Sequence, residues 1–189
     1  MAPMLSDEHN RLLLAIAQEA ITYGLDHVGR MPVVIEDYPP ALCVQRATFV
    51  TLTQQEQLRG CMGTLTAHRE LAADVADRAH AAAFDDPRFS PLTREEVESP
   101  GFALSISILS PPEEMTFADE ADLLEQLRPG VDGVILRSGD RQGTFLPAVW
   151  HSLPDRKAFF VQLKLKAGFA EDYWSGDVRA YRYTTETVG

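Results

Sequence analysis

The spacing of apolar residues predicts an amphipathic helix at the start of the chain. Ser6 is a suitable N-cap residue and is followed by two acidic side chains, which the positive end of a helix dipole favours. Apolar residues then recur at helical intervals, at Leu13, Ile16, Ala17, Ala20 and Ile21. Gly24 is expected to end the helix, and residues 25–40 are expected to form an irregular loop.

Alternating apolar and polar positions predict strands after this loop. The first is expected at 43–53 and the second at 58–65, and the short polar turn between them predicts antiparallel pairing. The same alternation predicts a strand at 101–109. Two short strands are predicted at 134–137 and 144–146, on either side of a loop with two glycines, and the last strand is predicted at 178–184. The two short strands, the second and third of these four, are expected to form a hairpin.

Three more helices are predicted between the strands. One is expected to open at Thr66 or His68 and to run to about Phe84, with an inner stripe that is mostly alanine. The others are expected at 119–127 and, from a capped start, at 152–166. Helices and strands mix without regular βαβ alternation, which predicts an α+β fold with a mixed or antiparallel sheet flanked by helices.

The charge of the chain narrows the function classes. Its 189 residues carry 17 basic and 28 acidic side chains, a formal net charge of −11. Neutralising a nucleic-acid backbone or an anionic membrane surface needs a field of Lys and Arg, so neither partner is expected. All the lysines lie within 128–189, so the charge does not exclude a local anion-binding site in that part of the chain.

No targeting segment, membrane span or cofactor motif is recognisable. The first residues are acidic where a signal peptide is basic, and no apolar run approaches the ~20 residues of a membrane span. The two cysteines, Cys43 and Cys61, are too few for a disulfide framework and wrongly spaced for zinc. We therefore expect a cytoplasmic protein with reduced thiols, no metal and no evident cofactor.

The stretch at 58–63 is the most informative for chemistry, because two glycines bracket Cys61. Glycine there permits a bulge or the close approach of another group. Arg59 lies two residues before the cysteine and a helix start follows, and both features favour a thiolate. Cys61 is therefore a candidate nucleophile or redox thiol, with Arg59 as its stabilising cation. The alternative, which spacing alone favours, is a small buried apolar residue.

Two histidines are candidates for acid–base chemistry with that thiol. His68 is the closer of the two to Cys61 in sequence and could act as a base or a polarising cation. Its structural alternative is a position on a helix surface. His151 follows Trp150 in a loop, where its structural alternative is helix capping.

Residues 86–91 are expected to form a stiff loop, because prolines fix the backbone on both sides of Arg88 and Phe89. The functional interpretation is an arginine presented to an anion. The structural interpretation, which we favour, is an Asp86–Arg88 brace with Phe89 inserted into the core. Lys166 also has two interpretations. It binds an anion if it points into a cleft, and otherwise it stabilises a helix C-terminus.

A hexapeptide at 58–63 reads LRGCMG and resembles the LRGCIG hallmark of the AMMECR domain family, also called AmmeMemoRadiSam system protein A. The one difference is methionine at position 62. Five further blocks resemble family segments in the same order, at 86–91, 106–112, 132–136, 143–150 and 166–174. The recognisable blocks extend from about residue 40 to about residue 175.

This resemblance implies a single domain over 1–189, an α+β fold with a larger and a smaller lobe, and the hexapeptide near a cleft between them. Family members accompany a Memo-like protein and a radical SAM enzyme, and no reaction is established for them. The candidate catalytic residues are Cys61, Arg59, His68 and His151. The candidate substrate- or anion-binding residues are Arg88, Lys166, Thr144 and Trp150, of which Thr144 and Trp150 lie in the family block at 143–150.

Two function hypotheses follow. The first is a cysteine-dependent enzyme or enzyme component that modifies a small molecule or a protein, with Cys61 carrying an acyl, alkyl or redox equivalent. It would act with the Memo-like and radical SAM partners. The second is a non-catalytic partner that binds those two proteins and positions their substrate. Whether the chain is an enzyme stays undecided from the sequence.

Overall fold

A computed structural model describes residues 5–189. In chain order its helices are α1 (Asp7–Asp26), α2 (Leu71–Phe84), α3 (Arg94–Val97), α4 (Glu120–Gln126) and α5 (Arg156–Lys166). Its strands are β1 (Thr48–Gln54), β2 (Gln57–Gly63), β3 (Phe102–Leu109), β4 (Glu113–Glu114), β5 (Gly133–Ser138), β6 (Arg141–Phe145), β7 (Arg179–Tyr183) and β8 (Thr185–Val188). The elements divide into two units, each described by itself. Unit 1 consists of the described residues through Leu109 together with Glu186–Gly189, and unit 2 is Ser110–Thr185.

Unit 1 is built on a sheet with the strand order β2-β1-β3-β8. Strand β1 lies antiparallel to both β2 and β3, which confirms the pairing predicted for the first two strands. Along β1, Val50 and Leu52 are fully buried, whereas Phe49 and Thr51 are half-buried on the opposite face of the sheet. Helices α1 and α2 supply most of the other core residues, including the five apolar residues predicted for α1.

Gly24 lies inside α1, so the prediction that it ends the helix was wrong. A Cβ atom at this position would lie 2.4 Å from Cε2 of Phe84 on α2. The glycine therefore allows two helices to approach closely and does not serve a left-handed turn. Helix α1 continues to Asp26, and the loop that follows contains 3₁₀ turns at Ile35–Asp37 and Pro40–Leu42.

The segment before β1 is not part of that strand. Residues 44–46 run beside 69–71 through backbone hydrogen bonds, so β1 starts later than predicted. For the same reason α2 starts at Leu71, and neither Thr66 nor His68 opens it.

Unit 2 is built on a sheet with the order β4-β7-β5-β6, and its paired strands are antiparallel. The predicted hairpin is confirmed as β5 and β6, with Ser138 opposite Arg141 next to its tip. Helix α5 contributes Phe159, Phe160 and Leu163 to the core, and all three are fully buried.

One predicted boundary in unit 2 needs correction, and so does the expectation that the strand at 178–184 is the last. Helix α5 is capped by Asp155, whose side chain accepts from the Ala158 amide at 2.8 Å, so Ser152 is not the N-cap residue. The stretch predicted as one strand at 178–184 is followed by a second strand, β8, which joins the sheet of unit 1.

The two antiparallel sheets with their helices confirm the α+β class. Of the helices in the described chain, none is both long enough and apolar enough to cross a membrane. The cleft between two lobes stays a prediction.

Candidate functional site

The backbone of Cys61 is held at the free edge of a sheet. Strand β2 is the outermost strand of its sheet, so one of its edges has no strand neighbour. There the Cys61 amide donates to Oδ2 of Asp86 at 2.9 Å, and the Cys61 carbonyl accepts from Nη2 of Arg88 at 3.3 Å. The loop at 86–91 thus satisfies both backbone groups of Cys61 at the open edge and fixes the position of the cysteine.

Asp86 and Arg88 also bind each other. Nε of Arg88 donates to Oδ1 at 2.9 Å and Nη2 donates to Oδ2 at 2.7 Å, so the predicted brace is present. These hydrogen bonds are the main reason why the pKa of the buried Asp86 carboxyl lies well below its ordinary value, and the Cys61 amide acts in the same direction. The Arg88 side chain remains 54% exposed.

Phe89 is half-buried and does not enter the core, contrary to the expectation for this loop. The guanidinium carbon of Arg88 lies 5.4 Å from the centre of its ring, and that of Arg59 lies 5.8 Å from it. Two cations at such distances are attracted to the ring face. Phe89 therefore links the two arginines of the site.

Arg59 is held by an acidic partner and does not contact the thiol in any hydrogen bond of the described chain. Its Nε and Nη2 donate to the two carboxylate oxygens of Glu96 at 2.7 and 3.0 Å, and Nη2 also donates to the Ser90 carbonyl at 3.0 Å. Hydrogen bonding by Arg59 is the largest cause that lowers the pKa of Glu96 to about 2. These contacts explain Arg59 as an anchor, and its predicted role in stabilising a thiolate stays a prediction.

The Cys61 thiol is half-buried and accepts a hydrogen bond. The hydroxyl Oγ1 of Thr51, directly opposite on β1, donates to Sγ at 3.3 Å. The pKa of Arg88 is raised chiefly by its hydrogen bonds to Asp86, and the charge of a Cys61 thiolate acts in the same direction. A donor and a nearby cation both favour the ionised form of a thiol.

The other thiol has the opposite surroundings. Sγ of Cys43 lies 3.4 to 3.5 Å from the carbonyl oxygens of Ile35, Tyr38 and Pro39 and donates to this group of acceptors. Carbonyl acceptors favour the neutral thiol. The two cysteines therefore differ in their hydrogen bonds: the sulfur of Cys61 accepts from a hydroxyl, whereas that of Cys43 donates to carbonyl oxygens.

The glycines of the hexapeptide are explained by packing. A Cβ atom at Gly60 would lie 2.1 Å from the Ala82 carbonyl oxygen on α2, and one at Gly63 would lie 2.2 Å from Cγ of Phe49. Neither position therefore needs a ligand to account for its glycine.

His68 and His151 are both exposed. His68 lies in the loop before α2 and makes no hydrogen bond within the described residues, so its expected alternative on a helix surface was wrong. His151 is the last residue of the 3₁₀ turn Pro147–His151. The acid–base roles predicted for the two histidines stay predictions.

Trp150 and Thr144 are structural parts of unit 2. Trp150 is 3% exposed, donates from Nε1 to the Asp132 carbonyl at 2.7 Å and stacks on Phe159 with 3.7 Å between ring centres. Oγ1 of Thr144 donates to the Val134 carbonyl at 2.9 Å. These contacts give no support to the predicted substrate-binding role of the two residues.

Two lysines of α5 differ in their surroundings. Lys166 is exposed in the last turn, where Nζ lies 4.9 Å from the centre of the Phe145 ring, and its predicted anion site stays a prediction. Lys164 is buried and donates to Glu120 at 2.7 Å and to the Glu171 carbonyl at 3.1 Å. Lys164 therefore ties two segments of unit 2 to its core helix.

Thr51 and Glu96 are site residues that sequence reasoning missed. Thr51 reaches Cys61 only through the register of β1 and β2, and Glu96 reaches Arg59 across 37 positions of the chain. A weak signal existed for Glu96, since Thr93 followed three residues later by glutamate is a capping box. Among the described residues, no group of three or more His, Cys, Asp or Glu side chains is placed to hold a metal ion.

Fold and site together define a class of α+β protein that presents a thiol on an edge strand beside an arginine–carboxylate pair. A family model described as AMMECR1 matches residues 14–188, and the chain belongs to this family.

The relatives agree with this assignment. A protein of Methanothermobacter thermautotrophicus is 33% identical over 98% of this chain and 95% of its own length. A protein of Methanocaldococcus jannaschii is 35% identical over 85% of this chain and 81% of its own. The crystal structure of an uncharacterized protein from Pyrococcus horikoshii superposes with a TM-score of 0.88 at 30% identity, covering 97% of this chain and 92% of that one.

Proposed function

We propose that the protein is a cysteine-dependent enzyme, or a component of one, that uses Cys61 as its nucleophile and acts with Memo-like and radical SAM proteins. The observation that carries this proposal is the contrast between the two thiols. Cys61 accepts a hydrogen bond from Thr51, whereas Cys43 donates to carbonyl oxygens. Because only the first arrangement favours a thiolate, Cys61 is the thiol suited to nucleophilic attack.

The proposed step is the transfer of an acyl or alkyl group. Cys61 gives its proton to solvent, and the thiolate forms a C–S bond with an electrophilic carbon of the donor. The bond between that carbon and its leaving group breaks, and the leaving group keeps the electron pair. A nucleophile on the substrate of the partner proteins then takes the group and releases the thiolate. Arg88, which is 54% exposed, binds an anionic part of the donor.

Alkylation of the native protein by iodoacetamide over a range of pH tests the reactivity, with Cys43 and Cys61 measured separately by peptide mass spectrometry. We expect Cys61 to react faster than Cys43 near neutral pH, because its neighbours favour the thiolate. Protection of Cys61 until denaturant is added would overturn the proposal. The variant Cys43→Ser serves as the control, since it should leave the labelling of Cys61 unchanged.

A second function, a non-catalytic partner of the same two proteins, is favoured by a different observation. Within the hexapeptide, Arg59, Gly60 and Gly63 each have a packing role. If Cys61→Ser keeps both the fold and the cellular activity while the chain still co-purifies with the Memo-like and radical SAM proteins, this second function replaces the first.

A further inference from the structure

We infer that Thr51 is a positioning residue for the Cys61 thiolate: its hydroxyl holds Sγ and stabilises the ionised sulfur. The inference rests on the proposed function, since it concerns the same thiol. No motif of the sequence singled out Thr51. The assignment comes from the register of two strands and from one hydrogen bond.

The geometry of Thr51 suits this role. It lies on β1, with Cys61 on β2 as one cross-strand partner and Ser105 on β3 as the other. A strand that is paired on both sides has a fixed backbone, and a β-branched side chain has a stiff χ1. The Oγ1–Sγ distance of 3.3 Å is therefore held by the sheet itself.

The Thr51 hydroxyl is not engaged elsewhere among the described residues. Its hydrogen bond to Cys61 is the single side-chain hydrogen bond that Thr51 makes there. A hydroxyl has one proton to donate, and donation to sulfur favours the thiolate over the thiol.

The charged groups around the thiol come as two pairs. On the strand of Cys61, Arg59 is bound by Glu96 of α3, and in the loop beside that strand Arg88 is bound by Asp86. Each pair carries one positive and one negative charge. Among the described residues, Thr51 is the donor whose hydrogen bond reaches the sulfur itself.

The test compares pH–rate curves for iodoacetamide labelling of Cys61 in the full chain. Thr51→Val keeps the shape of the side chain but removes the donor. We expect the midpoint of its curve to move upward by about half a pH unit to one unit, with labelling near pH 7 slowed about threefold or more. Thr51→Ser should restore the curve. Thr53→Val, a change on the same face of β1 at the position opposite Leu58, should leave it in place.

The outcomes separate this inference from the proposed function. If Thr51→Val gives the wild-type midpoint while Cys61 still outpaces Cys43, Thr51 has no positioning role and the nucleophile proposal stands. If Cys61 is protected in the wild type, the proposed function fails as well. Should Thr51→Val lose its native circular dichroism, the pair Thr51→Ala and Thr51→Ser decides the question, and equal midpoints in those two would contradict the inference.

Discussion

Cys61 in unit 1 and Trp150 in unit 2 both lie in recognisable sequence blocks. Packing accounts fully for the tryptophan but not for the cysteine. Trp150 has a stacking partner, a hydrogen-bond acceptor and full burial. The thiol of Cys61 is half-buried and accepts a hydrogen bond from the hydroxyl of Thr51. A recognisable motif is therefore not by itself evidence of a site. The two residues differ in what their contacts leave over. Every polar group of the Trp150 side chain is used by packing, whereas the sulfur of Cys61 can still react after it has accepted its hydrogen bond.

The largest expected effect tests whether packing explains the surroundings of Trp150. Phe159→Ala should lower the free energy of unfolding by about 3–5 kcal/mol, because the ring is fully buried and stacks on Trp150. Leu165→Ala on the same helix, where the side chain is exposed, should cost less than about 0.5 kcal/mol. Urea unfolding can be followed by tryptophan fluorescence, since Trp150 and Trp174 both lie in unit 2. Equal costs for the two variants would break the comparison.

A smaller effect is expected at the anchor of Arg59. The pKa of Glu96 is lowered from 4.5 to about 2 in the folded protein, chiefly by hydrogen bonds from Arg59. The ionised carboxylate therefore stabilises the fold above about pH 4.5, and this contribution is lost as the pH falls towards 2. Glu96→Gln should lower the free energy of unfolding at pH 7 by about 1–2 kcal/mol, a value discounted for partial exposure.

Urea unfolding followed by circular dichroism at pH 7 and at about pH 2.5 checks this expectation. The difference between wild type and Glu96→Gln should shrink at the lower pH. Glu95→Gln, at an exposed position of the same helix, should match the wild type at both. A difference that is constant with pH would show that the ion pair with Arg59 does not anchor the hexapeptide.

The smallest effect concerns the reactive side of the comparison. Arg88→Gln removes a cation whose charge interacts with a Cys61 thiolate, so labelling of Cys61 by iodoacetate near pH 7 should slow about twofold to threefold. The matched control is Arg94→Gln, because Arg94 is similarly exposed and is also paired with a carboxylate. Equal slowing in both variants would mean that net charge, and not the position of Arg88, controls the rate.

Much of the fold could be predicted because its signals are local. The cap at Ser6, the alternation in β1 and the turn before β2 each act over a few residues. Gly24 was misjudged because its reason is tertiary: the space it leaves is filled by Phe84 of another helix. The start of α2 was misjudged because residues 44–46 pair with the segment in front of it.

Part of the site could be predicted because its contacts are also local in sequence. Asp86 and Arg88 are two positions apart, so their brace could be predicted from the sequence. Thr51 could not, because its place opposite Cys61 depends on register, and a slip of one residue would move it to the other face of the sheet.

The Asp86–Arg88 pair also covers the backbone of the edge strand at Cys61. An open strand edge is a template on which a second chain can add a strand. At Cys61 both the amide and the carbonyl are already bonded to side chains of the same unit. At this one position of the edge, therefore, neither backbone group is free to pair with a strand added from a second copy.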